Sequence, residues 1–178
     1  MSARTEYPND LHALFRELQG LNQRRDMPRR VQVCRALLEL VDRESKPGPW
    51  AALQVKLADS LVQNPRGIRS FNLEQAINHC QQALEVFTRE TFPEHWAKTQ
   101  NKLGVIFRTR ISGERANNLE QAIHHYRQAQ EVYTREAFPE QWAMTQNYLG
   151  LAFSDRIAGE RAANLEQAFN HFQQAVEV

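Results

Sequence analysis

Trp50, Trp96 and Trp142 recur at a constant spacing of 46 residues, and so do Asn72, Asn118 and Asn164, each opening the string Asn-Leu-Glu-Gln-Ala. A period of roughly 20–50 residues marks a stacked-repeat architecture, in which each unit buries its apolar face against its neighbours. No other feature of the chain constrains the fold as strongly. Each residue is therefore read as a position within a repeat.

Moving back by one period exposes a further, eroded unit at the front. Ile77, Cys80, Leu84 and Phe87 map onto Val31, Cys34, Leu38 and Val41, and Leu103 and Phe107 map through Leu57 and Leu61 onto Leu11 and Phe15. The chain reads as a single array over 1–178: a degenerate unit at 4–49, repeats at 50–95 and 96–141, and a shortened third at 142–178. Divergence of the first unit suits a terminal repeat that meets water on one side.

Each unit reads as two helices. Leu73, Ala76, Ile77, Cys80, Ala83, Leu84 and Phe87 fall at spacings of three and four, a pattern repeated from Leu119 to Tyr133 and from Leu165 to Val176. Such spacing gathers apolar side chains into one helical stripe. Asn72, Asn118 and Asn164 are expected to cap these helices, with Gln75, Gln121 and Gln167 completing capping boxes. In the first half of each unit, Pro93 and Pro139 fit a first helical turn, where the missing N–H costs nothing. Trp96, Leu103, Phe107 and Ile111 then share a face, as do Trp142, Leu149, Phe153 and Ile157. Gly113 and Gly159 are expected as C-terminal caps of positive φ. The short polar links NPRGIRSF, SGERANN and AGERAAN make the two helices antiparallel.

Charge and composition narrow the function. The 178 residues carry a net charge of +1, which argues against a chain built mainly for nucleic acid or an anionic membrane. No apolar run approaches the roughly 20 residues that span a bilayer, and no signal-peptide core opens the chain. The two cysteines, Cys34 and Cys80, are too few for a disulfide framework. These features together give the expectation of a cytoplasmic protein.

Leu103-Gly104, Phe107, Ala122, Tyr126, Ala129 and Pro139 resemble the signature of tetratricopeptide repeats, as do Leu149-Gly150, Phe153, Ala168, Phe172 and Ala175. The physical logic agrees: Gly104 and Ala122 are small where helices approach closely, and Phe107 and Tyr126 are large where the seam must be filled. In the preceding unit Ala58 replaces the glycine and Leu61 the aromatic, and His12 takes the glycine position in the degenerate unit. The repeat is longer than the family's usual 34 residues. The excess is assigned to a longer connector and a longer second helix running through TREAFPE. Extended units of this kind resemble those of bacterial multi-repeat proteins, some of which carry a CHAT protease module. A HEAT-like array of about 40–47 residues per unit is the structural alternative.

The resemblance implies an all-α, right-handed α-solenoid of antiparallel helix hairpins, about eight helices in all, whose first helices line a concave groove. It implies a non-catalytic scaffold that binds a peptide or protein segment there. The groove residues it designates are Lys98, Asn101, Lys102, Val105 and Arg108, then Met144, Asn147, Tyr148, Leu151 and Asp155, with Ala52, Val55, Lys56 and Asp59 in the preceding repeat. The amides of Asn101 and Asn147 either hold a peptide backbone or tie successive first helices together. Lys98, Lys102 and Arg108 either pair with an acidic segment or are solvated.

Other constellations point away from chemistry. His79, His125 and His171 recur in register, but neighbouring helices stand roughly 10 Å apart, too far for one metal ion with ligands at ~2 Å. No metal or other cofactor is expected. Cys34 and Cys80 lie on apolar stripes and read as small core residues. No phosphate loop, His-Glu-x-x-His pair or G-x-S-x-G elbow is present, so no enzymatic activity is expected. The cluster Arg24, Arg25, Arg29, Arg30 and Arg35 offers an alternative, a nucleic-acid contact, against which stand the missing interleaved aromatics and the near-zero net charge. The last unit stops within its second helix, leaving Leu165, Phe169 and Phe172 without a following helix. The expectation is a fragment of a longer array, with homodimerisation through this open end as a further alternative.

Overall fold

A computed structural model describes residues 11–177, and the expected start of the degenerate unit at 4–10 and the final Val178 lie outside them. Every regular element among the described residues is helical. The chain falls into two compact units, 1–86 and 87–178.

The first unit holds α1 (Leu11–Gly20), a 3₁₀ turn (Arg24–Asp26), α2 (Met27–Leu40), α3 (Pro47–Gln63) and α4 (Arg69–Leu84). Consecutive helices pack on one another, α1 on α2, α2 on α3 and α3 on α4. Leu14, Val33, Cys34, Leu37, Leu57, Leu73 and Cys80 are buried between them. Both cysteines behave as small core residues, and burial pushes the Cys34 thiol up to about 11. Arg29 clamps α1 to α2 through both carboxylate oxygens of Glu17, at 2.6 and 3.1 Å.

The second unit holds two hairpins, α5 (Pro93–Thr109) with α6 (Arg115–Gln130) and α7 (Pro139–Asp155) with α8 (Arg161–Val176), with α6 packed on α7 and α5 alongside it. Tyr126 presses on the backbone of Gly104 so closely that a Cβ there would stand 2.4 Å from the ring, and Phe172 does the same to Gly150 at 2.6 Å. Each glycine thus meets a ring, and this contact closes each hairpin of the unit. The preceding hairpin carries Ala58 and Cys80 at these two levels, both buried, so a methyl is added where a ring is lost.

Prolines open α3, α5 and α7 at the first helical position. The start of the second helices differs from expectation. Asn72, Asn118 and Asn164 are not N-caps but lie a full turn inside, their backbone N–H groups already bonded to the carbonyls of Ile68, Glu114 and Glu160 at 3.0 Å. Their buried side chains turn back to the connectors, donating to the carbonyls of Arg66, Ser112 and Ala158 at 3.0, 2.9 and 2.9 Å. The three residues before each asparagine favour helix enough to move the start upstream, so no capping box forms with Gln75, Gln121 or Gln167. Gly67, Gly113 and Gly159 have positive φ (84°, 78°, 79°), but they sit inside the connectors, beyond the helix ends, where the buried asparagine pulls the turn tight.

Two further expectations are corrected. TREAFPE does not extend the second helix: α6 ends at Gln130, and residues 131–138 form a folded link to Pro139. Thr134 Oγ1 accepts from the Ala137 N–H at 3.2 Å and the Phe138 N–H donates to the Thr134 carbonyl at 2.9 Å, offering the backbone turns in place of helix. Tyr133 is buried in this link against Ala97 and Ala129, and its ring meets Phe138 edge-on at 5.5 Å. Ile111 and Ile157, expected on the buried face, lie past the helix ends and are each 61% exposed.

Ion pairs repeat with the helices. Arg43 pairs with Glu85 at 2.7 Å in the first unit, Arg89 pairs with Glu131 and Arg135 with Glu177 (3.4 Å) in the second. Arg43 and Arg135 also lie over the rings of Trp50 and Trp142. The recurring arginine therefore fastens the link of one repeat to the second helix of the next. Exposed pairs of this kind contribute little energy individually and chiefly fix geometry.

Candidate functional site

The face formed by α5 and α7 gathers most of the designated residues. Three- and four-residue spacing brings Lys98, Lys102, Val105 and Arg108 to one side of α5. It does the same for Met144, Tyr148, Leu151 and Asp155 on α7. Lys98 is exposed, Lys102, Val105, Arg108, Tyr148 and Leu151 are half-buried, and Met144 and Asp155 are exposed. Lys56 (exposed) and Asp59 (half-buried) belong to α3 in the first unit.

Asn101 is a correction. It is only 4% exposed, and its Nδ2 donates to Thr145 Oγ1 at 2.7 Å, while Thr145 in turn donates to the Gln141 carbonyl at 2.7 Å. The position belongs to the seam between successive first helices, not to the exposed face, because the turn of α5 that carries Asn101 points at α7. Asn147, its counterpart, is exposed. The string Thr-Gln-Asn at 99–101 and again at 145–147 was the available signal: a triplet copied whole between repeats serves the stack.

One end of the face is closed by charge. Arg108 Nη1 donates to Asp155 Oδ2 at 3.1 Å, and Arg115 reaches the same oxygen at 3.5 Å while also donating to the Arg108 carbonyl. Beneath them Tyr126 stacks on Tyr148 with ring centroids 5.4 Å apart. The Tyr126 hydroxyl lies beside the Arg108 guanidinium without a well-formed hydrogen bond, and burial holds its phenol well above the ordinary range. At the other end Glu94, His95, Lys98 and Tyr133 line a cavity of about 100 Å³. The Tyr133 hydroxyl donates to the Glu94 carbonyl at 3.1 Å, and burial pushes it up to about 12. Neither tyrosine is ionised at neutral pH. The middle of the face, Val105, Met144, Tyr148 and Leu151, is apolar and accessible. Arg115, Thr145 and Tyr126 were not designated from sequence, and they support this face from its edge and from below.

The recurrent histidines serve the hairpins. His79, His125 and His171 each bond through Nδ1 to a glutamine of the partner helix, Gln54, Gln100 and Gln146, at 2.6, 2.7 and 2.7 Å. An amide oxygen can only accept, so Nδ1 carries a proton. His125 and His171 also stack on Phe107 and Phe153, at 5.3 Å each. Burial lowers all three pKa values, that of His125 to about 4. Among the described residues no group of three or more His, Cys, Asp or Glu is placed to hold a metal ion. In the arginine cluster, Arg29 is engaged with Glu17, and Arg35 donates to Gln75 at 3.1 Å. Among the described residues no helix is long and apolar enough to cross a membrane.

The family model described as SNAP, soluble NSF attachment protein, matches residues 54–178, from within α3 to the end of the sequence. No curated protein matches the chain.

Proposed function

The chain belongs to the soluble NSF attachment protein family, and on that premise we propose that it is a non-catalytic scaffold that docks a protein segment on the α5/α7 face. The family's name describes attachment to another protein, and a tetratricopeptide-like helical repeat is the kind of frame that displays such a surface. One observation carries the reading. Val105, Met144 and Leu151 form an accessible apolar strip, beside Tyr148 whose ring also stacks on Tyr126, and their identities change from one repeat to the next, while the His-Gln pairs that tie the two helices of each hairpin are copied. Side chains that the stack does not need are available to a partner.

The strip fits an extended or helical segment with apolar side chains every three to four residues, and Lys98 at its edge suits a carboxylate. In this reading Lys56 and Asp59 are partner-facing positions of their own repeat, the units 4–49, 50–95, 96–141 and 142–178 are successive helix-hairpin repeats, and the protein works in the cytoplasm. That the repeats are of the kind found in bacterial multi-repeat, CHAT-associated proteins belongs to the same proposal.

Affinity capture from the native cell tests it. Wild-type protein is compared with a Lys98→Ala/Met144→Ala/Leu151→Ala variant and with a control on α6, Gln128→Ala. The expected result is a bound protein lost with the triple variant and kept by the control. A partner retained by the triple variant at full yield overturns the assignment.

A further inference from the structure

The connector between α3 and α4 departs from its counterparts in the later repeats. Ile68 is 72% and Phe71 60% exposed, one turn apart at the start of α4, and Arg66 beside them is exposed as well. One and two periods later the same three positions hold Glu114, Asn117 and Ser112, then Glu160, Ala163 and Ala158. Arg69, in contrast, is copied as Arg115 and Arg161. Each of these three donates to a carbonyl seven residues back, near the end of the preceding helix. Residues 60–73 carry no acidic side chain. One hairpin precedes this connector in the sequence and others follow it, so its exposure belongs to the interior of the chain.

The neighbouring hairpin of the same unit adds charge. Consecutive helices alternate in direction, so α2 and α4 point the same way, and Arg35 on α2 donates to Gln75 on α4 at 3.1 Å. Arg24 and Arg25 lie in the 3₁₀ turn that leads into α2, and Arg25 is the register counterpart of Phe71. Both arginines are exposed, and Asp26 is the one acidic residue of that turn. One end of the unit therefore presents four arginines together with an exposed aromatic ring. The aromatic missing from the basic stretch itself is supplied by the next hairpin.

We propose that this end of the first unit binds single-stranded nucleic acid, with a base stacked on Phe71 beside Ile68 and phosphates held by Arg24, Arg25, Arg66 and Arg69. Unpaired bases stack on aromatic side chains while a basic surface tracks the backbone, and a paired base offers no free face to such a ring. A bilayer suits the surface less well. Interfacial binding draws on an apolar face that runs along a helix, whereas Leu73, Ala76, Ile77 and Cys80, further along α4, are buried in the hairpin. The surface lies apart from Lys98, Met144 and Leu151, so the two proposals fail separately.

The probe is a fluorescein-labelled oligouridylate of about 12 nucleotides, within the span such sites cover. Fluorescence anisotropy at low salt should show saturable binding to the whole protein. Affinity should fall with salt, with a log–log slope of about −0.7 for each arginine that meets a phosphate. Phe71→Ala should weaken binding about tenfold and leave that slope unchanged, because stacking carries no charge, and Phe71→Trp should retain binding. Arg25→Gln/Arg66→Gln should flatten the slope by about 1.4. All three substituted residues are exposed, and circular dichroism confirms that the variants remain folded. Lys98→Ala/Met144→Ala/Leu151→Ala should bind the probe as the wild type does. Oligothymidylate binding with the same dependence on Phe71 supports the proposal equally. Absence of saturable binding to either strand overturns it, as does binding that Phe71→Ala leaves unchanged or that polyglutamate matches. Retention on phosphatidylserine vesicles that Ile68→Glu removes, with neither strand bound, overturns it in favour of a membrane surface.

Discussion

Tyr126 lies flush on Gly104: a Cβ added to that glycine would meet Cε1, Cδ1 and Cζ of the ring at 2.4, 2.6 and 2.8 Å. The ring is fully buried and cannot swing aside. Gly104→Ala should therefore destabilise the protein by about 1–3 kcal/mol, the ordinary cost of overpacking, despite the gain in helix propensity. The preceding hairpin shows the compensation, Ala58 with Cys80. In a double-mutant cycle by urea denaturation, Gly104→Ala with Tyr126→Cys should cost less than the sum of the single changes by 1 kcal/mol or more. Strict additivity would mean that the two residues do not share the contact.

The buried histidines make stability depend on pH. His125 titrates near 6.5 when unfolded and at about 4 when folded, so between these values the unfolded chain binds more protons. Its contribution is complete above pH 6.5 and is lost as the pH falls towards 4. By pH 5 the loss should be about 2 kcal/mol from His125. His79 and His171 shift in the same direction. Urea midpoints at pH 7.5 and pH 5 measure the loss, and His125→Gln should flatten the dependence. An unchanged slope in that variant would contradict the neutral, buried ring.

The two equivalent asparagines should behave differently. Asn101→Ala leaves the Thr145 hydroxyl without its donor inside a buried seam and should cost about 1–3 kcal/mol. Asn147→Ala alters an exposed amide and should shift stability by less than about 0.5 kcal/mol. Thermal unfolding of the two variants side by side distinguishes the seam from the surface.

Arg156 and Glu120 join the last connector to α6 through a partly buried bidentate pair. Removing one partner strands the other, so Glu120→Ala should destabilise α8 by about 1–2 kcal/mol, more than a fully exposed pair would. Hydrogen exchange should show α8 opening faster in this variant, with α5 unaffected.

The architecture was legible because it is written several times. The 46-residue register located the helices and their antiparallel pairing, and it marked Gly104 as a small and Tyr126 as a large residue of the seam; that the Tyr126 ring lies on Gly104, and the Phe172 ring on Gly150, came from the structure. What misled was local chemistry with two solutions. Asn118 has the right type for an N-cap, yet its amide satisfies a connector carbonyl from inside the helix. TREAFPE has helical residues, yet Thr134 and Pro139 impose turns. For the candidate face, the type of each side chain was readable but its direction was not. Whether Asn101 faces the groove or the neighbouring helix depends on the angle at which α7 packs, and sequence spacing does not encode that angle.

The most direct test of a partner held on the α5/α7 face is photocrosslinking in the native cell, with a photoreactive phenylalanine derivative placed at Leu151 in one variant and at Gln128, on α6, in another. The account predicts a discrete protein adduct from position 151 and none from 128. An adduct from 128 with none from 151 would place the partner on the other helices and contradict it.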